Sequence, residues 1–325
     1  MNGSPERFRD VVIVGAGAAG GAAAAHLSRS GHDVVLLERD AEPRIKPCGG
    51  GIAASVQKWF PFSLEPAVEQ VVRQVDFSWC LGDPVVAELP GEAPFWIVRR
   101  ERLDQLLTDQ AKQAGAECCA GVTVTDIGRD SDHWSVTAAD GQRWRTRSVV
   151  IADGSASPWP QRLGLGAKRV QTATTMSVRL EGQGRLKNGT TRFEFGLVKQ
   201  GFAWAFPVAG GLNIGVGSFI GKQDADPEQV LSLLLPDLGF PADAGLRQSG
   251  QLRVWNGHHR LNGNGIVVVG DAASLCDPFL AEGLRPALMS GCEAARHLDR
   301  WLRGDSNDLR GYTIAMRQRW GDSMA

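Results

Sequence analysis

The chain has 325 residues, of which 43% are hydrophobic and 22% are charged. This composition is typical of a globular protein with a sizeable core, and it excludes a disordered or collagen-like chain. The 35 Lys and Arg residues balance 36 Asp and Glu residues. A dedicated nucleic-acid-binding protein normally carries a basic excess, so we expect no nucleic-acid partner.

Cysteine usage and hydropathy indicate the compartment. The six cysteines form no CxxC pair, and a chain of this length needs no disulfides to fold. We therefore expect a reduced, cytoplasmic protein. No apolar run approaches the roughly 20 residues of a membrane span, so we expect no integral membrane segment.

The first motif is a glycine-rich turn between two apolar segments. Asp10–Val14 is predicted to be a buried strand, and it leads into the sequence GAGAAG, which begins at Gly15. A helix of small residues follows up to about Leu27, and Asp33–Glu38 is predicted to be a second strand. This order of strand, GxGxxG, helix, strand and acidic residue is the dinucleotide-binding fingerprint.

Each fingerprint residue has a physical role. Gly15 permits a sharp turn, Gly17 lets the backbone approach a pyrophosphate, and Gly20 lets the helix pack against the sheet. The helix N-terminus offers free N–H groups to phosphates. Glu38 follows 23 residues after Gly15, where an acidic side chain accepts hydrogen bonds from a ribose diol. A glycine-rich turn in an ordinary α/β unit is the alternative, and the fingerprint alone leaves FAD and NAD open.

The segment Lys46–Gly51 reads KPCGGG. It resembles the loop that lies along the flavin in geranylgeranyl reductases, a family within the p-hydroxybenzoate hydroxylase type of FAD protein. The resemblance runs from about residue 10 to about residue 303. Three successive glycines allow main chain to lie against a flat ring. A flexible surface loop is the alternative interpretation.

Four further segments carry the resemblance. Arg100–Leu107 is similar to the RxxLDxxL helix start, Val149–Gly154 to the DG motif, Gly265–Asp271 to the GD motif and Pro278–Leu284 to the GEG turn. In the family the GD acid faces the ribityl chain, which NAD lacks, so the resemblance implies FAD. Ala281 departs from the family's usual glycine, which puts close approach of the backbone in doubt at that position.

The resemblance implies a set of cofactor contacts. Arg100 is the family's FAD contact, with Arg99 as a rival, and Val124 is matched only by its position on a strand before the DG motif. The implied FAD-binding residues are Gly15, Gly17, Ala19, Gly20, Glu38, Arg39, Cys48, Gly49, Gly51, Arg100, Val124, Asp153, Asp271, Gly283 and Leu284.

The region between the DG and GD motifs is predicted to form an antiparallel sheet, with strands at Thr174–Leu180, Thr191–Leu197, Gly201–Pro207 and Gly211–Phe219 and a helix from Pro227 to Leu235. One strand is similar to the family's YxWxFP motif. Period-two spacing puts Phe202, Trp204 and Phe206 on one sheet face, where they line either a pocket for a long apolar ligand or plain core.

The expected fold is α/β. A Rossmann-like FAD-binding domain, with a parallel sheet and a β-meander over about 117–147, is formed by residues 1–69, 99–165 and 258–325. A substrate domain built on the antiparallel sheet is formed by residues 70–98 and 166–257, so the two domains are interleaved. The sequence has no GxSxG motif, and His258 and His259 would point to opposite faces of a strand, so we expect no metal site.

The resemblance implies an FAD-dependent oxidoreductase that reduces C=C bonds of an isoprenoid lipid by hydride transfer from reduced flavin. Cys48 is a candidate catalytic or flavin-gating residue. A second GxGxxG unit is absent, so electrons would come from transiently bound NAD(P)H or from a reduced electron-carrier protein. A lipid substrate would allow peripheral membrane contact.

The alternatives are an FAD monooxygenase or halogenase acting on an aromatic substrate, a quinone-directed electron carrier, and an FAD-binding protein without turnover. The oligomeric state is left open.

Overall fold

A computed structural model describes residues 8–92, 94–218 and 226–322. Its strands are β1 (Phe8–Val14), β2 (Val34–Leu37), β3 (Gly51–Ala53), β4 (Val68–Val72), β5 (Gln74–Trp79), β6 (Gly82–Glu88), β7 (Phe95–Val98), β8 (Glu117–Cys119), β9 (Val124–Asp130), β10 (His133–Ala138), β11 (Arg143–Ile151), β12 (Gln171–Glu181), β13 (Thr190–Phe195), β14 (Gly201–Val208), β15 (Gly211–Ser218), β16 (Gln248–Val254), β17 (Asn262–Gly263) and β18 (Ile266–Val268).

The α-helices are α1 (Ala18–Arg29), α2 (Arg100–Gln113), α3 (Trp159–Arg162), α4 (Pro227–Asp237), α5 (Leu284–Leu302) and α6 (Arg310–Met316). No helix among the described residues is both long enough and apolar enough to cross a bilayer.

The first sheet has the strand order β17-β18-β11-β1-β2-β8, and β9 and β10 extend it beside β11. Its centre is parallel and buried on both sides, which explains the continuous apolar run at Val11–Val14. Helix α1 packs closely on α5. Gly291 of α5 allows this approach, since a Cβ at this position would lie 2.3 Å from the carbonyl oxygen of Ala19. The α/β fold class is therefore confirmed.

The expected β-meander is shorter at its N-terminal end than predicted. β9, β10 and β11 are antiparallel neighbours, but β8 pairs in parallel with β2. β11 then changes partners along its length. Arg143–Thr146 faces β10, and Arg145–Ile151 pairs in parallel with β1. One long strand thus joins the meander to the parallel sheet.

The second sheet has the order β16-β12-β15-β14-β13-β5-β6. It contains all four predicted strands with shifted ends; Phe219, the last residue of the fourth predicted strand, lies outside the described residues. One sheet face is covered by α4, through the buried side chains of Leu231, Leu234 and Leu235. The Asp226 carboxylate accepts a hydrogen bond from the Glu228 N–H and caps α4. The other face packs in part against β4 and β7.

The segment 70–98 divides between two sheets. β5 and β6 join the second sheet as expected, but β4 and β7 pair with β3 in a separate sheet of order β3-β7-β4. The reason is burial, since Trp96 and Val98 pack in one cluster with Leu103 of α2 and Leu288 of α5. The partition into two interleaved domains remains a proposal.

Candidate functional site

A large pocket of about 300 Å³ lies between the glycine turn after β1 and the aromatic face of the second sheet. It brings together residues that are far apart in the chain. Of the expected site residues it is lined by Gly17, Ala19, Cys48, Gly49, Gly51, Arg100, Phe202, Trp204, Phe206, Asp271, Gly283 and Leu284.

A smaller pocket of about 150 Å³ lies at the ends of β1 and β2. It is lined by the remaining expected residues except Gly20, namely Gly15, Glu38, Arg39, Val124 and Asp153. Arg44 and Ala152 line both pockets, which therefore form one elongated cleft along the strand ends. Such a cleft suits a long dinucleotide with its adenosine at one end and a ring system at the other.

The glycine turn is shaped for close backbone approach. Gly15 has φ +101°, and a Cβ there would lie 2.5 Å from the carbonyl oxygen of Ala152. Gly20 lines neither pocket, but a Cβ there would lie 1.8 Å from the carbonyl oxygen of Gly15, so it lets α1 start tight against the turn. At Gly17 a Cβ would meet only the Arg44 guanidinium at 3.7 Å, so the side facing the cleft is open.

Four charged side chains form an ion-pair chain along the cleft. The Arg44 guanidinium lies 3.3 Å from the Glu38 carboxylate and 2.8 Å from that of Asp104, which also binds Arg100 at 3.0 Å. Burial lowers the pKa of Arg100, but the Asp104 carboxylate and the Cys48 side chain outweigh this, and the net pKa is raised. The Glu38 carboxylate also accepts the N–H of Ala16 at 2.8 Å.

The loop Cys48–Gly51 lies against the aromatic stripe. A Cβ at Gly49 or Gly51 would lie 3.1 Å from the ring of Phe206, so neither position has room for a side chain. Gly50 has φ +81°, and a Cβ there would lie 2.3 Å from the Val98 carbonyl oxygen. The Cys48 thiol is half-buried and accepts the N–H of Gly50 at 3.3 Å. Packing and backbone conformation thus favour glycine at positions 49, 50 and 51.

A buried amide ties the aromatic stripe to the glycine loop. The Trp204 Nε1–H donates to Asn213 Oδ1 at 3.4 Å, and Asn213 Nδ2 donates to the Cys48 carbonyl oxygen at 2.8 Å. The Trp204 ring lies over Gly215, where a Cβ would be only 2.1 Å from the indole. Gly215 and Asn213 therefore set the position of both the ring and the loop.

At the GD motif, Asp271 does not cap the following turn. Its Oδ2 lies 3.1 Å from the Lys46 ammonium, and a Cβ at Gly283 would lie 3.3 Å from its Oδ1. Ala281 has φ +46°, a left-handed conformation that favours the glycine usual in the family. Beside it, burial raises the pKa of Glu282, which also lines the large pocket.

The DG-motif carboxylate is buried and only partly satisfied. No hydrogen bond to Oδ1 of Asp153 is present. Burial raises the pKa of Asp153, although hydrogen bonding to Ser157 and the nearby Arg253 guanidinium lower it. Arg253 is itself buried and donates to the Ser157 carbonyl oxygen at 2.5 Å. Asp153 lines the smaller pocket, where a carboxylate can accept hydrogen bonds from a hydroxyl-bearing ligand.

These observations test whether the cleft fits FAD. The open side of Gly17 at a helix N-terminus suits a pyrophosphate, Asp153 lines the smaller pocket where its carboxylate suits a ribose or adenine donor, and the glycine loop offers flat main chain to a ring. The residues present therefore fit FAD. Gly17, Asp153, Asp271 and the Cys48–Gly51 loop would hold it.

Replacing Asp153 by asparagine should separate stability from cofactor binding. The folded-state pKa of Asp153 is raised, so the ionised carboxylate destabilises the fold above that pKa. We expect Asp153→Asn to raise the unfolding free energy of the FAD-free protein by about 1 kcal/mol at pH 7. This gain in unfolding free energy should shrink as the pH falls through the raised pKa of Asp153. The substitution should also lower the affinity for FAD. Urea unfolding at several pH values measures this, and a loss of stability at pH 7 would contradict it.

Comparison with known proteins identifies the family. Residues 10–71 match the model of the FAD dependent oxidoreductase family. A menaquinone reductase of Mycobacterium tuberculosis is 30% identical over 314 residues, which cover 89% of this chain and 76% of that protein. The chain belongs to the same family of FAD-dependent oxidoreductases as this menaquinone reductase. It is therefore an FAD-dependent oxidoreductase, and FAD is its cofactor.

Solved structures agree with the fold of this reductase family member. A geranylgeranyl bacteriochlorophyll reductase-like protein of Thermoplasma acidophilum has a TM-score of 0.87 at 20% identity, covering 97% of this chain and 84% of that one. The myxobacterial chondrochloren halogenase has a TM-score of 0.78 at 21% identity, covering 97% and 79%. At these identities the likeness concerns the fold.

Some residues of this cleft were missed by sequence reasoning. Arg44 and Asn213 act through contacts with Asp104 and Cys48, which lie 60 and 165 positions away in the chain. No local spacing reveals such partners. Lys46 lies within the KPCGGG segment. Its position in that motif could have indicated a role in the site, where it pairs with Asp271.

Proposed function

We propose that the protein reduces C=C bonds in the prenyl chain of an isoprenoid lipid. A prenylated quinone is the first substrate to test, because the Mycobacterium tuberculosis relative is a menaquinone reductase. The observation that carries the proposal is the stripe of Phe202, Trp204 and Phe206, which packs against the glycine loop and lines the same pocket. Large apolar rings beside the expected ring site suit a substrate without polar groups.

Bound FAD supplies a hydride in this chemistry, and reduction of one C=C bond consumes that hydride and one proton. The chain's own residues place the alkene and exclude water. Phe202 and Phe206, 4% and 6% exposed, form an apolar wall. The proton-bearing groups that line the pocket include the Cys48 thiol and the Glu282 carboxyl. The raised pKa of Glu282 favours its protonated form.

The experiment is anaerobic turnover with menaquinone and a chemical reductant, followed by mass analysis of the prenyl chain. A product heavier by two hydrogens in the chain supports the proposal. Reduction of the quinone ring faster than in an enzyme-free control, with the chain unchanged, would instead support a quinone-directed electron carrier. Parallel reactions with NADH, NADPH and a reduced ferredoxin-type protein distinguish the two classes of electron donor, nicotinamide and protein, that we propose.

Cys48 is our proposed catalytic or flavin-gating residue. We expect Cys48→Ala to lower the rate of chain reduction about 100-fold, within the usual range for loss of a proton-transfer group. Cys48→Ser, which keeps a hydroxyl in the same place, should retain more activity. Single-turnover rates under anaerobic conditions measure both variants. Full activity in Cys48→Ala would remove this residue from the mechanism.

A monooxygenase or halogenase function is the competing proposal, and the halogenase structures share the fold. It requires reduced flavin that reacts productively with O2. Hydroxylated or halogenated product from an aromatic substrate in air would favour it. Failure of reduced enzyme to act on any prenyl or aromatic substrate would favour an FAD-binding protein without turnover.

A further inference from the structure

The aromatic stripe of the large pocket continues outward across the second sheet. On the same sheet face, β13 carries Phe193 and Phe195, and β5 carries Phe77 and Trp79. In the parallel register Phe77 lies beside Phe193 and Trp79 beside Phe195. We define the outer aromatic surface as Phe77, Trp79, Phe195 and Val85.

Ring contacts connect this surface to the pocket without interruption. Phe193 lines the pocket and lies 5.3 Å, centroid to centroid, from Phe206. Phe77 stacks on Phe193 at 5.9 Å with an interplanar angle of 25°. Phe195 lies 5.8 Å from Phe202 and 6.4 Å from Phe77. These pairs are at the distances of favourable aromatic contacts.

Exposure rises steadily along this path. Phe202 is 4% exposed and Phe77 is 40% exposed, while Trp79 and Val85 at the sheet edge reach 62% and 63%. The Trp79 ring lies over Gly196, where a Cβ would be 3.0 Å from the indole. Phe77, Trp79 and Val85 form a contiguous exposed apolar patch, and such patches mark binding surfaces.

The volume of the large pocket limits how much of the substrate it can hold. About 300 Å³ is at the small end of ligand pockets, which typically reach roughly 1,000 Å³, and this volume must hold the flavin ring as well as the reacting alkene. A longer prenyl chain has to leave the pocket. From β14 across β13 and β5 to β6, the aromatic face spans three strand spacings, or about 14 Å.

We propose that the outer aromatic surface binds the distal part of the substrate's prenyl chain, outside the pocket in which the chain is reduced. This inference rests on the proposed function and extends it to chain-length selectivity. Apolar isoprene units would lie along Phe195, Phe77 and Trp79, and contact with the rings would remove apolar surface of both partners from water.

The test compares Trp79→Ala and Phe77→Leu with the unchanged enzyme, using a long-chain and a short-chain menaquinone. We expect the ratio of the long-chain KM to the short-chain KM to rise about tenfold in Trp79→Ala. That corresponds to about 1.4 kcal/mol, or roughly two methylene groups returned to water. The matched control is Val86→Ala, because Val86 is 51% exposed on the same edge strand but faces away from the rings.

A second measurement does not depend on turnover. A long-chain quinone with a saturated tail should bind oxidised Trp79→Ala more weakly than it binds Val86→Ala. An unchanged KM ratio together with unchanged binding would overturn the inference. So would a change of oligomeric state in Trp79→Ala, since the surface would then contact a second copy. If no prenyl chain is reduced but tail binding depends on Trp79, the proposed reaction fails while the binding surface stands.

Discussion

A methyl group at Gly17 should weaken FAD binding about 100-fold while the FAD-free protein folds normally. Gly17 has φ −71°, which alanine adopts freely, and a Cβ there would meet only Arg44 at 3.7 Å. The methyl would project toward the expected phosphate position at the N-terminus of α1. One or two lost hydrogen bonds to a charged group cost about 3 kcal/mol, which corresponds to that loss of affinity.

Titration of the FAD-free Gly17→Ala protein with FAD measures this effect, and thermal unfolding checks the fold. Gly82→Ala is the matched control, because its Cβ would also meet one atom at 3.7 Å but lies in the second sheet. Gly20→Ala should behave differently and destabilise the FAD-free protein by about 1–3 kcal/mol, since its Cβ would overlap the backbone of Gly15. Unchanged FAD affinity in Gly17→Ala would contradict the assigned phosphate site.

The second large effect is expected at Gly215, which no motif singled out. Gly215→Ala would place a Cβ 2.1 Å from the Trp204 indole and push the ring off the strand. The Trp204–Asn213–Cys48 hydrogen bonds would then be lost together, and the glycine loop would move with them. We expect prenyl reduction to fall at least about 100-fold, because small misplacement of reacting groups costs that much.

Two readouts separate this effect from unfolding. The visible spectrum of the bound flavin should shift in Gly215→Ala, since the ring's surroundings change, while urea unfolding remains cooperative. Gly128→Ala is the control, because this glycine also lies in a strand but its Cβ would meet no atom closer than the Ser135 hydroxyl at 3.3 Å. Normal turnover in Gly215→Ala would show that the position of Trp204 is unimportant for the reaction.

The sequence was most informative where local chemistry determines structure. The apolar run at Val11–Val14 and the glycines after it predicted β1, the turn and α1, because a buried parallel strand and a tight phosphate turn leave few other choices of residue. The FAD-binding α/β fold followed from that unit and from the resemblance of five further segments.

The predictions failed where contacts between residues far apart in the chain determine the structure. β8 was assigned to the meander, but it joins β2, and β7 leaves the second sheet because Trp96 and Val98 bury against helices. Both strands are short, so the alternation of apolar and polar residues does not determine which strands they pair with. The candidate site followed the same pattern. Its glycines and acids were found from motifs, whereas Asn213 and Arg44 were not.

The measurement that tests the proposed reaction most directly is a single turnover without oxygen. Enzyme whose flavin has been reduced by light would be mixed with a geranylgeranyl compound that lacks a quinone ring, and flavin absorbance would be followed. We expect the oxidised flavin bands to return and the recovered prenyl chain to have gained two hydrogens, with no change when a fully saturated chain is used. Flavin that stays reduced with every prenyl compound and reoxidises only on admission of oxygen would contradict this expectation.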